Sequence, residues 1–253
     1  GISMNYCDRW FFVADSPKSG IENMRIDLAL LNNLEKCSER MTFLRFYDWN
    51  VPTVSLGKHQ QIEGAVDFHY CQKFEIPVVH RPTGGQAVFH DCELTYSVVS
   101  NDPHWFPFSS IRETYRLIAV GLQKGIERLG ISTQLVGGVR KSESLFVKQH
   151  AVPCFVTPSR CEILCEGRKI VGSAQRRLKR SFLQHGSIPL QVNYSRMASS
   201  LGVSEELLRM SHISVSEALG RVVNWQTVCE ALKIGFEQTF QIKLHVKKFA
   251  EDI

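Results

Sequence analysis

Pro153-Cys154-Phe155-Val156-Thr157-Pro158-Ser159, followed closely by Gly167-Arg168-Lys169-Ile170-Val171-Gly172-Ser173-Ala174-Gln175, is the stretch on which the reading of this chain turns. Prolines bound the segment that holds Cys154, so a stiff, non-helical backbone is expected there. A short β-like run then leads into Lys169 and a patch of small residues, none bulky enough to block a ligand. A thiol needs a nearby cation to become a thiolate at neutral pH, and a lysine on the next element can supply one. The pattern therefore points to a nucleophilic Cys154 tuned by Lys169. A buried structural cysteine beside an exposed lysine fits the same letters, because free cysteine commonly serves as a small hydrophobe.

On either side of this stretch the chain reads as short strands and helices without strict alternation. Strands are expected at Trp10–Val13, Thr42–Tyr47, Pro52–Leu56 and Ile76–His80, across His90–Val99, at Ser132–Val136, in the Cys161–Cys165 run, at Phe182–Ile188 and at Gln241–Val246. Helices are expected at Ile21–Lys36, Phe68–Phe74 and Trp225–Phe240, with short helical pieces between Leu201 and Leu219. The clearest helix is Ile111–Leu129, where Ile111, Tyr115, Ile118, Leu122, Ile126 and Leu129 form one apolar stripe. Ser110 and Glu113 make a capping-box pattern at its start, and Gly130 stands at its stop. This mixture predicts an α+β domain with a mixed or antiparallel sheet and packed helices. One domain over residues 4–253 is expected, with residues 1–3 read as a tag remnant.

Composition narrows the function classes. With 253 residues, 43% hydrophobic and 22% charged, the chain can bury a real core and is not of disordered type. It shows no apolar run long enough to span a bilayer and no signal-like opening, so no membrane role and a cytoplasmic location are expected. Eight cysteines lie without regular spacing, which argues against a disulfide framework and for reduced thiols. Cys161 and Cys165 would share a strand face with Ile163, but no second pair or histidine cluster completes a zinc site, and no metal is expected. The net charge is +5, with Arg168, Lys169, Arg176, Arg177, Lys179 and Arg180 concentrated in one interval free of acidic residues. Such a patch suits an acidic protein or a phosphate-bearing ligand, or it is a solvated face. No helix-turn-helix, zinc finger or aromatic-interleaved basic stripe accompanies it, so nucleic acid is not expected as a partner.

A second informative stretch is Arg81-Pro82-Thr83-Gly84-Gly85-Gln86-Ala87-Val88. Adjacent glycines let backbone approach a ligand, and their amides can form an anion cradle, with Arg81 at the edge to meet a phosphate or carboxylate. The pattern is neither a Walker loop nor a dinucleotide fingerprint, and a plain hairpin turn explains it as well. His90 can hydrogen-bond a ligand or be a satisfied structural histidine. Gly186, in the last strand of the central region, permits a close backbone approach.

Taken in order, these pieces resemble the biotin/lipoate protein ligase catalytic-domain family, over nearly the whole chain from Trp10 through the last helix. The resemblance rests on Leu44-Arg45-Phe46-Tyr47, Pro52-Thr53-Val54-Ser55-Leu56-Gly57, Arg81-Pro82-Thr83-Gly84-Gly85 with Ala87-Val88 and His90-Asp91, Lys169 through Gln175, and Gln184-His185-Gly186-Ser187. Cys154, Phe155, Pro158 and Ser159 match the Cys-Phe-x-x-Pro-Ser turn of the cysteine-dependent octanoyltransferase branch, and Glu93 to Val98 also fits that branch. The chain is also similar to the lipoate-protein ligase A type. The resemblance implies the class II biotin/lipoate ligase-like fold and an acyltransferase that carries an octanoyl or lipoyl group from acyl carrier protein to a lysine of a lipoyl domain or glycine-cleavage H protein. By resemblance Cys154 forms the acyl-thioester and Lys169 lowers its pKa. Arg81, Thr83, Gly84, Gly85, Gln86, Ala87, Val88, Phe89, His90, Gly172, Ser173, Ala174, His185 and Gly186 would surround the octanoyl or lipoyl chain, and the basic patch would receive an acidic protein partner. No cofactor is implied for the transferase. The alternative, an ATP-dependent lipoate-protein ligase acting through lipoyl-AMP, would use ATP and Mg. His80 and Gln86 depart from the family pattern, where a second arginine and a glycine or arginine are common, which speaks against an adenylate role for this loop. Many ligases carry an accessory C-terminal domain, and none is expected after the last helix here.

Overall fold

All six side chains of the alternating run Thr42-Phe43-Leu44-Arg45-Phe46-Tyr47 are buried, because both faces of the strand they form are covered. The computed structural model describes residues 9–137 and 161–247, and in it this run is β2 (Thr42–Tyr47) of a seven-stranded mixed sheet. The spatial order is β1 (Trp10–Ala14), β2, β6 (Glu93–Ser100), β10 (Phe182–Pro189), β9 (Arg168–Arg177), β8 (Cys161–Cys165) and β7 (Gln134–Gly137). β1 runs parallel to β2, and every later neighbouring pair is antiparallel. A separate three-stranded sheet places β3 (Thr53–Leu56) between β4 (Val78–His80), to which it is parallel, and β5 (Val88–His90), to which it is antiparallel.

Side-chain alternation decides what each face of the large sheet meets. Leu44, Phe46, Leu94, Val98, Phe182 and Ile188 enter the main core beneath α3 (Ile111–Arg128) and α7 (Trp225–Phe240). Phe43, Val99 and Leu183 form a row across the opposite face and pack on Leu30, Leu31 and Leu34 of α1 (Gly20–Lys36). The next rows on this face are polar: Arg45–Ser97–His185, then Tyr47–Thr95–Ser187. The space beneath α1 thus passes from dry core to a buried polar floor within two rows. The small sheet builds its own core with α2 (Phe68–Lys73), α4 (Tyr194–Leu201) and α5 (Glu205–Ser211). A further short helix, α6 (Val215–Leu219), follows.

The structure revises several sequence expectations. The strand expected over His90–Val99 is two strands in different sheets, divided at Asp91-Cys92, where Cys92 adopts a left-handed φ of 42°. The small-residue patch from Lys169 onward is itself a ten-residue strand. The expected terminal strand at Gln241–Val246 reduces to one bridge, Val246 to Phe12, because Gln241 turns left-handed at the end of α7 and the alternating Ile242 and Leu244 go into the main core. At α3 the capping box is half made: Ser110 accepts from the Glu113 amide, while the Glu113 carboxylate pairs with Arg116. A complete box forms at Ser214 and Glu217 instead. The basic interval does not form one patch. Arg176 and Arg177 are neighbours on a strand and so face opposite ways. Arg176 reaches the Pro82 carbonyl, while Arg177 lies over Phe108 and Phe182. Arg168 binds the carbonyls of Arg209 and His212.

Candidate active site

The polar rows converge on Asp27, a fully buried carboxylate on the inner side of α1. Oδ1 accepts from Arg45 at 3.1 Å and Ser97 at 2.7 Å, and Oδ2 accepts from Tyr47 at 2.7 Å and His185 Nδ1 at 3.0 Å. These four bonds use the carboxylate's acceptor sites. Burial alone raises the Asp27 pKa, but the His185 hydrogen bond and the Arg45 charge outweigh it and hold the carboxyl below its ordinary value. His185 is held below the ordinary histidine value, chiefly by burial, so its imidazole is neutral at pH 7. With Nδ1–H given to Asp27, Nε2 is an acceptor and receives the Thr83 hydroxyl at 2.5 Å. A Thr83–His185–Asp27 chain therefore ties the Gly-Gly loop to the centre of the large sheet.

A second network surrounds His90. Its Nε2 meets Ser55 Oγ at 2.7 Å, and its Nδ1 lies 3.0 Å from Glu93 and 3.1 Å from Ser187. Thr95 and Ser187 both donate to Glu93, Trp49 donates to Thr95, and the Trp49 indole stacks on the His90 ring at 3.9 Å. Arg81 spends its guanidinium within the protein. It donates to Ser55 O and Oγ and to the carbonyls of Gly84 and Gln86, at 2.7–3.1 Å. Its observed work is to brace the loop, where the sequence suggested a hand for a ligand anion. Gly85 takes φ +103°, and a Cβ there would lie 2.9 Å from this guanidinium, which accounts for a glycine at that corner.

Above these networks lies a mainly apolar slot of about 420 Å³, a volume that includes its opening to solvent. Of the sequence-derived site residues, Arg81, Val88, His90, Gly172, Ser173, Ala174, His185 and Gly186 line it. Gly186 is needed because a Cβ there would sit 2.1 Å from the Gly172 carbonyl and 2.7 Å from the Tyr96 ring. Val88 and Gly172, together with Ser187, also line an adjoining cavity of about 530 Å³ that contains Phe89, Lys169 and His212. Lys169 is mostly buried and donates to Glu162 at 3.1 Å. Its ammonium helps burial push His212 down to about 4. Thr83 acts through His185; Gly84, Gly85 and Gln86 lie on the exposed side of the loop, and Ala87 packs in the small-sheet core. These last four line neither cavity. Cys154 lies outside the described residues. Sequence reasoning missed Met24, Tyr47, Trp49, Ser55, Thr95 and Ser187 on the slot, and Asp27 beneath it. Period two would have placed Thr95 and Ser187 on the face of His185, and an Asn23–Asp27 step of four marks a polar inner stripe on α1. No group of three or more His, Cys, Asp or Glu side chains able to hold a metal occurs among the described residues.

Comparison with known proteins agrees with this architecture. Two proteins named octanoyltransferase LipM are similar: that of Halalkalibacterium halodurans is 33% identical over 94% of this chain and 89% of its own. That of Carboxydothermus hydrogenoformans is 35% identical over 93% and 88%. Among solved structures, a putative lipoate protein ligase from T. acidophilum with bound lipoic acid superposes with a TM-score of 0.73 at 22% identity, over 96% of this chain and 90% of that one. A bi-partite lipoate protein ligase from Thermoplasma acidophilum, described with its E2 lipoyl domain, reaches 0.76 at 21%, over 96% and 88%. These structural likenesses carry the fold, the α+β class II ligase-like arrangement that the sequence implied. The model of the lipoyl protein ligase A/B catalytic domain matches residues 19–237, and the chain belongs to that family.

Proposed function

We propose that this protein is an octanoyltransferase of lipoate assembly that moves a medium acyl chain from a carrier thioester to a lysine amine, without ATP and in the cytoplasm. The observation that carries this reading is that the two cavities adjoin, with Val88, Gly172 and Ser187 common to both linings. A chain held in the apolar slot between β9, β10 and Val88 brings its carbonyl end past Gly172 and Ser187 toward Lys169. Relatives a third identical along most of the chain are named octanoyltransferases, which favours transfer over ligation. In the proposed reaction the Cys154 thiolate attacks the donor thioester carbon, and the carrier thiolate leaves and takes up a proton. The acceptor amine then attacks the acyl-enzyme, the Cys154 thiolate leaves, and the amine loses its proton as the amide forms. Lys169 would stabilise the thiolate and the oxyanion of each tetrahedral intermediate, with Glu162 holding its ammonium in place. Gly172, Ser173, Ala174, Gly186 and Val88 would wall the chain, and Arg81 and Thr83 would set the loop that closes it. The donor would be an acyl carrier protein, and the acceptor a lipoyl domain or glycine-cleavage H protein. A bi-partite relative in fold was solved as part of a system with its lipoyl domain.

Intact-protein mass spectrometry tests the reading. Wild type and Cys154→Ala are mixed with octanoyl-acyl carrier protein in the absence of ATP. The expected result is a hydroxylamine-labile octanoyl adduct on wild type that is missing from the variant. Acylation of an acceptor only when ATP and free acid are supplied, with no adduct, would replace this reading with the ligase.

A further inference from the structure

Among the described residues, two cavities that share no lining residue with each other both adjoin the slot. One is the cavity that contains Lys169. The other is a broad surface groove of about 1110 Å³ between α1, β4 and Pro82. Among the described residues, the slot and the groove share two, Met24 and Arg81. The guanidinium of Arg81 is fixed by its bonds to Ser55, Gly84 and Gln86, so that part of the partition is rigid. Met24 is different. It is 6% exposed, packs with Tyr47, Trp49 and Val79, and carries an unbranched thioether that adapts to what it touches. Beyond it the groove continues with apolar surface from Ile21, Leu28 and Val78.

We infer that Met24 is the stop that sets the length of acyl chain the slot accepts. The inference rests on the slot being the acyl site. A chain whose carbonyl end lies toward Lys169 runs away from that cavity along the slot, and its terminal carbon comes against the Met24 side chain. Shortening Met24 joins the slot to the groove and lets further methylenes be buried instead of being turned back. Each methylene that gains burial is worth about fourfold in affinity. Enlarging Met24 has the opposite effect. Specificity for chain length is thereby assigned to one residue on α1, far along the chain from the Lys169 strand.

The test is calorimetric titration of the full chain with free hexanoate, octanoate, decanoate and dodecanoate, which reads the slot independently of any transfer chemistry. For Met24→Ala the ratio of decanoate to octanoate affinity is expected to rise by about fifteenfold over wild type. For Met24→Phe the preference moves toward hexanoate, and this second variant keeps the test sharp should the alanine variant fold poorly. Val78→Ala, which enlarges the groove at a residue outside both the slot lining and the Met24 cluster, leaves the order of chain lengths unchanged. An equal change in affinity at every length for both Met24 variants overturns the inference while leaving the acyl site standing. Wild type that binds none of the acids removes the acyl site itself, and the inference with it.

Discussion

Acidification should weaken this fold through His212, and the size of the loss follows from its surroundings. His212 is 7% exposed, and its imidazole is pushed down to about 4, first by burial and then by the Lys169 ammonium. In the unfolded chain the same group titrates near its ordinary value of about 6.5. Between these two values the unfolded chain holds a proton that the folded chain refuses, so stability falls as pH falls. The contribution is whole above about pH 6.5 and is lost progressively down to about pH 4, at ~1.4 kcal/mol per unit, or about 3 kcal/mol in all. His185, also held low, acts in the same direction, which makes a comparison of variants necessary. Urea unfolding of wild type and His212→Gln at several pH values isolates the effect. The variant's stability should gain on the wild type by about 2–3 kcal/mol as the pH is lowered from about 7 to about 4.5. Lys169→Met should narrow the window, because one of the two causes of the low value is gone. Parallel stability curves for wild type and His212→Gln would refute the reasoning.

Two further substitutions test the floor and wall of the slot. Gly186→Ala places a methyl group against the Gly172 carbonyl and the Tyr96 ring, so β9 and β10 must move apart. A loss of about 3 kcal/mol in urea unfolding and of octanoate binding in calorimetry is expected, and unaltered binding would show that the strands do not wall the chain. Asp27→Asn removes the charge that answers the buried Arg45 guanidinium and the acceptor that orients His185. It should cost about 3–5 kcal/mol near neutral pH, and a loss below about 1 kcal/mol would mean that Asp15 and Asn23 suffice for Arg45.

How much of this was legible depended on whether a signal was local. The α3 stripe and the Trp225–Phe240 helix repeat every three to four residues, so they could be read without knowledge of their partners. The glycine after His185 announced a close backbone approach, and the slot does form beside it, whereas Gly84 and Gly85 lie on the exposed side of their loop and line neither cavity. The floor escaped notice because its residues meet only through strand register: Tyr47, Thr95 and Ser187 come from three strands and share one row. The bracing contacts of Arg81 escaped notice for a related reason. Its type suits an anion, but the acceptors that occupy it are carbonyls of its own loop and of Ser55, which no spacing rule reveals. Charge runs misled where strand alternation sent Arg176 and Arg177 to opposite faces.

The meeting of Phe12 with Val246 has a bearing on how the protein matures at the ribosome. Phe12 and Trp10 share one core with Phe236, Phe240, Ile242 and Leu244, and the Lys247 amide donates to the Phe12 carbonyl. More than two hundred residues of translation separate the two halves of this contact. At roughly 5–20 residues per second, β1 and its aromatic side chains wait tens of seconds or less for α7 to emerge. During that interval the face of Trp10 and Phe12 lacks Phe236, Phe240, Ile242 and Leu244, and β1 lacks its bridge to Val246, an incomplete state in which nascent strands can pair with the wrong chain. The small-sheet segments between Thr53 and His90 do not share this delay among themselves, since β3, β4 and β5 pair within a single short stretch. Nascent chains stalled before Trp225 should therefore depend on chaperones at their first strand while the Gly-Gly loop is already in reach of its own strands.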